Sequence, residues 1–123
     1  MKIEFQPHPD HPEIIRITLA GRLDTGGEAE IAPQMLQAVE HSGIGVILDL
    51  AQVDFISSAG LRLLVQAYKN LTAKGKKLAM IRAQPAVYKI FKLAAFEAAF
   101  NLQQDDASAL ETFPPPQPSV LLS

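Results

Sequence analysis

The segment Val46-Ile47-Leu48-Asp49-Leu50 narrows the choice of fold more than any other. It is a short, nearly continuous apolar run, rich in branched side chains. Runs of this kind suit a central strand covered on both faces, as in sheets with helices packed against them. Leu78-Ala79-Met80-Ile81 reads the same way. Between the two, Leu61, Leu64, Val65, Tyr68 and Leu71 recur at i, i+3, i+4, i+7 and i+10. That spacing predicts an amphipathic helix, closed by Lys74-Gly75 with a basic last turn and a glycine cap. A strand, a helix and a second buried strand imply parallel pairing through a right-handed crossover.

The flanking segments extend this unit. Ile3 and Phe5 alternate with polar residues, as do Ile15, Ile17 and Leu19, and the two runs read as an antiparallel hairpin. Asp24-Thr25-Gly26-Gly27 is a turn whose side chains can also start a helix. Ile31, Met35, Ala38 and Val39 follow at helical spacing, which places Pro33 in the first turn and the helix end at Ser42-Gly43. Pro85 opens a helix carrying Val87, Ile90, Phe91 and Ala94. Phe100-Asn101-Leu102 reads as a last strand, and residues 107–113 as a terminal helix behind the acidic pair Asp105 and Asp106. The predicted order is β-β-α-β-α-β-α-β-α. The predicted core contains Ile17, Leu19, Val46, Ile47, Leu48, Leu64, Val65, Met80 and Ile81. Residues 1–113 are read as one domain and 114–123 as a Pro-rich, extended tail, because Pro114-Pro115-Pro116-Gln117-Pro118 cannot continue a helix.

Composition removes several classes of function. A chain of 123 residues suits one core. Its formal charge of -2 supplies no basic excess for direct nucleic-acid binding. Without cysteine it has no disulfide, thiolate nucleophile or thiolate metal site. His8-Pro9-Asp10-His11-Pro12 places two imidazoles near a carboxylate, yet prolines and the lack of further ligands favour a solvated hairpin loop over a metal site. The N-terminal residues alternate as a strand and lack the pattern of a signal peptide. No apolar stretch reaches the roughly 20 residues of a membrane span. The expected compartment is the cytoplasm, without membrane insertion. No phosphate-binding glycine loop, nucleophile motif or metal cluster appears, so no catalytic residue, cofactor or metal is assigned.

The stretch from Asp49 to Leu64 carries the functional signal. It reads as a buried strand, a loop, and a helix start marked by Ser57 and Ser58. A serine before an apolar periodic segment is first of all an N-cap. Free N–H groups and the helix dipole also favour an anion there. A phosphate on such a serine would be tolerated by the fold, and its charge would act mainly on whatever docks against that surface.

The same stretch, Asp49-Leu50-Ala51-x-Val53-x-Phe55-Ile56-Ser57-Ser58-Ala59-Gly60-Leu61, resembles the signature of the STAS family. Gly21-Arg22-Leu23-Asp24 resembles the Gly-x-Leu-Asp that leaves that family's second strand. Agreement in spacing and element order extends over roughly residues 3 to 113. The resemblance implies the STAS fold: a mixed sheet with an antiparallel N-terminal hairpin and parallel inner strands, its helices mainly on one face. It also implies a stand-alone anti-sigma-factor antagonist. Such proteins bind an anti-sigma factor that is also a serine kinase of histidine-kinase-like fold. They are inactivated by phosphorylation at the start of the second helix and restored by a serine phosphatase. Ala59 has no hydroxyl, so the implied acceptor is Ser58, with Ser57 second. Asp24, Ser57, Ser58, Gly60 and Arg62 are the implied partner-binding residues, Asp24 either touching the partner or ordering the loop. A constitutive scaffold, or a subunit of a lipid-transport or signalling complex, is the alternative on the same fold.

Overall fold

The computed structural model describes residues 1–116. The strands are β1 (Lys2–His8), β2 (His11–Leu23), β3 (Gly45–Ile56), β4 (Lys77–Ile81) and β5 (Leu102–Gln103). The helices are α1 (Thr25–His41), α2 (Ser58–Ala73), α3 (Pro85–Leu93) and α4 (Asp106–Leu110). One sheet runs β1-β2-β3-β4-β5. The hairpin β1–β2 is antiparallel, and the pairs β2–β3, β3–β4 and β4–β5 are parallel.

The alternation expected of a doubly covered strand is visible along β3. Val46, Leu48 and Leu50 join Ile17, Leu19 and Met80 in the larger core, against Ile31 and Met35 of α1, Leu64 and Leu71 of α2, and Val87 and Phe91 of α3. Ile47 points the other way and packs with Ile14, Ala79, Ile81, Ala109 and Phe113 under α4. Eight of the nine predicted core residues are therefore buried. Val65 is the ninth. It lies half-buried at the margin, while Leu63 faces inward beside Leu64.

Asp49 is the next residue of β3 on the α4 side, and it is buried. Its carboxylate accepts hydrogen bonds from Arg16 Nη2 at 3.0 Å, from the Ala51 N–H at 3.0 Å, and from Arg82. A charge removed from water needs such partners. Asp49 in turn raises Arg82 above the ordinary arginine value, first through this hydrogen bond and then through its charge. Arg16 Nε also lies 3.6 Å from Asp106 of α4.

Four local expectations change. The hairpin residues His8 and His11 are buried, not solvated. His8 Nε2 donates to Asp106 at 2.7 Å while its Nδ1 accepts the Asp10 N–H, and His11 Nε2 donates to the Pro114 carbonyl at 3.0 Å. Pro33 stands inside α1, because the helix starts at Thr25 and the glycines of the expected turn continue into it. Pro33 and Ala29 are both exposed, so the carbonyl that loses its helical partner faces water. Phe100 precedes the last strand and fills the core, its ring 5.1 Å from those of Phe91 and Phe96. The terminal helix is shorter than expected, with Asp105 as its N-cap. The tail beyond residue 116 lies outside the described residues.

Asp49→Ala is expected to lower unfolding stability by about 3 kcal/mol in urea titration, since it leaves two arginines without their buried counter-charge. A loss near zero would show that water compensates Arg16 and Arg82 equally well.

Candidate interaction site at the helix starts

Helices α1 and α2 begin side by side, built to one plan. Asp24 caps α1, its Oδ1 accepting the Gly27 N–H at 2.8 Å. Ser57 caps α2, its Oγ accepting the Gly60 N–H at 3.3 Å. In each helix the third residue is glycine, for the same steric reason. A Cβ on Gly27 would lie 2.2 Å from the Arg22 carbonyl oxygen, and one on Gly60 would lie 2.4 Å from that of Leu23. The Leu23 carbonyl also accepts the Ser57 N–H at 3.0 Å and the Ser57 hydroxyl at 3.3 Å. Two sequence signatures 34 positions apart thus meet at the last residues of β2.

Ser57 is half-buried and has its hydroxyl in the cap. Ser58, the first residue of α2, is exposed, and its hydroxyl has no protein partner among the described residues. Gly60 is buried, and Arg62 is exposed one turn along α2. Asp24 lies at the neighbouring helix start. Its carboxyl is held below the ordinary aspartate value, first by the Gly27 N–H and further by Arg22, whose Nε is 3.7 Å away. The three histidines are elsewhere: His8 and His11 are under α4, and His41 is bonded to the Gln37 carbonyl at the far end of α1. Ser58 thus presents a free hydroxyl to solvent, and among the described residues no imidazole lies beside it to activate it.

Two neighbours escaped the sequence reading. Arg22 lies over the ring of Phe55, 4.2 Å from its centroid, and Phe55 remains 36% exposed. They are register partners across β2 and β3. A shallow groove of about 290 Å³ runs between the two helices, lined by Glu28, Ala32 and Leu36 of α1 and by Ala59, Arg62 and Gln66 of α2. Phe55 was visible as a bulky residue just before the serines, but its pairing with Arg22 depends on register.

The mixed sheet, its covering helices and the paired helix starts define a small α/β domain. The STAS domain model matches residues 6–109, and the chain belongs to that family. An anti-sigma F factor antagonist of Paenibacillus polymyxa is 23% identical over 111 residues, covering 89% of this chain and 92% of that protein. An anti-sigma-B factor antagonist of Listeria monocytogenes is 27% identical over 107 residues, covering 84% and 90%. The antagonist SpoIIAA in its unphosphorylated form superposes with a TM-score of 0.67 at 17% identity, over 90% of this chain and 96% of that one. Its phosphorylated Bacillus form gives 0.66 at 19%, over 89% and 98%. At these identities the structural matches establish the shared fold. Among the described residues no helix is long and apolar enough to cross a membrane.

Two outcomes follow from the packing and the caps. Gly60→Ala is expected to lower stability by about 1–3 kcal/mol, because the methyl group must displace backbone. A variant with an unchanged urea midpoint would show that α2 can shift without penalty. The Asp24 carboxyl is favoured in its charged form, so its contribution to stability is complete above the ordinary aspartate range. That contribution is lost as pH falls through the depressed folded-state value. Asp24→Asn retains a capping oxygen without the charge. The stability gap between wild type and this variant should be widest near neutrality and close in acid. A gap that does not vary with pH would assign it to cap geometry alone.

Proposed function

We propose that this chain is an anti-sigma-factor antagonist acting in the cytoplasm. It binds an anti-sigma factor that is also a serine kinase of histidine-kinase-like fold, through the surface formed by Asp24, Ser57, Ser58, Gly60 and Arg62. Phosphorylation of Ser58 ends the interaction, and a serine phosphatase restores it. The similarity to anti-sigma factor antagonists of Paenibacillus and Listeria supports the antagonist role. The observation that carries the choice of residue is the contrast between the two serines. Ser57 uses its hydroxyl to cap α2, whereas Ser58 presents its own to solvent.

The chemistry asks little of this chain. The kinase brings ATP and magnesium, and the γ-phosphoryl group passes to Ser58 Oγ. ADP leaves, and the hydroxyl proton goes to the kinase's base. The antagonist is not an enzyme in this scheme. The phosphate adds a charge of about -1.5 to -2 to a surface that must be dehydrated for docking. Left uncompensated, that charge costs several kcal/mol, enough to weaken binding roughly a hundredfold or more.

Incubation with the cognate kinase and ATP, followed by peptide mapping, is expected to place the phosphate on Ser58. Ser58→Asp should fold normally and bind the kinase about a hundredfold more weakly. Ser58→Ala should bind and resist inactivation, with its helix cap intact because Ser57 supplies it. By contrast, Ser57→Ala should lose a cap contributing about 1 kcal/mol. A stable complex with no phosphate on either serine would overturn the switch in favour of a constitutive scaffold.

A further inference from the structure

We infer that Arg62 is the internal counter-ion of a phosphate on Ser58, closing onto it along the face of α2 and leaving its contact with the partner. The inference rests on the reading of Ser58 as the modified residue, and it specifies what the modification does inside the chain. Arg62 lies four positions after Ser58, so both project from one helix face a turn apart, and both are exposed. The other nearby cation, Arg22, is engaged by Asp24 and by the Phe55 ring. Arg62 has no salt bridge among the described residues.

The helix start cannot satisfy a phosphate by itself. The Gly60 N–H is bonded to Ser57 Oγ, and the Leu61 N–H to the Ser57 carbonyl at 2.9 Å. Among the described residues the amides of Ser58 and Ala59 have no partner. A phosphate has three strong acceptor oxygens and close to two charges, which a guanidinium matches with two parallel hydrogen bonds. Its competitor for Arg62 is Glu28, across the groove, with a single charge. Carboxylates at this end of the sheet, Asp24, Asp54 and Glu28, disfavour the phosphate dianion, and Arg22 and Arg62 favour it. Modification then changes the docking surface twice: it adds negative charge at Ser58 and neutralises the positive edge of the groove.

The test uses the full chain with phosphoserine installed at position 58 during synthesis, titrated by phosphorus NMR. Arg62→Gln is expected to raise the phosphate's second ionisation by about 0.3 pH unit, roughly twofold in acidity. Arg62→Lys, which keeps the charge but not the paired hydrogen bonds, should restore only part of the difference, while Lys69→Gln, three turns from the phosphate, should leave the curve unchanged. Superposed curves for wild type and Arg62→Gln would overturn the inference. Should Arg62→Gln fail to fold, the Arg62 Nε–H resonance of the wild-type chain decides instead: it moves on phosphorylation if the pair forms and stays in place if it does not. Because no kinase is involved, this outcome is independent of whether Ser58 is the residue a kinase modifies. That reading fails by mass spectrometry; the counter-ion fails by titration.

Discussion

The arrangement of this domain depends on one close approach, that of Gly60 to the carbonyl of Leu23. Any side chain at position 60 would push α2 off the end of β2. The Ser57 cap would then lose its contact with the same carbonyl, and the exposed serine would move with the helix. Gly27 repeats the device for α1 against Arg22. The two helix starts are set by backbone contact, which varies less than side-chain packing. Such contact fixes the orientation of the side chains that the two helix starts present.

The opposite face is held by different means. There α4 is short, and charged groups reinforce the small apolar cluster of Ile14, Ile47, Ala79, Ile81, Ala109 and Phe113 beneath it. Asp49 links Arg16 on one neighbouring strand to Arg82 beyond the other, and Asp106 reaches Arg16 and His8. Breaking one member leaves a partner uncompensated, so the network acts as a unit. The larger core and the smaller apolar cluster with its charged rim share β3, whose side chains alternate between them.

The strands and three main helices were legible because each obeys its own period. Val46 to Leu50 is apolar since both faces are covered, and α2 is striped since one face is. What escaped the sequence depends on partners far along the chain. His8 and His11 look like loop residues until Asp106 and Pro114, 98 and 103 positions away, are known to lie beside them. Asp49 reads as an interruption of a strand until the register supplies two arginines. Pro33 reads as a first-turn residue while Gly26 and Gly27 read as a turn, whereas the Asp24 cap draws both glycines into the helix. At the site, the serines and Gly60 were visible as a motif, but the division of labour between Ser57 and Ser58 follows from the direction each hydroxyl takes.

Strand order in the sheet is also strand order in the chain. During synthesis each new strand therefore meets an edge already formed by the strand made before it, and no gap in the sheet waits for a later insertion. A growing chain of this design can assemble progressively from its N-terminal hairpin, with little need to hold unpaired edges open. Exceptions include the bonds from His8 and His11 to Asp106 and Pro114, which join the first hairpin to the last described segment. Those two histidines act as a clasp that fastens only when nearly the whole domain has been made.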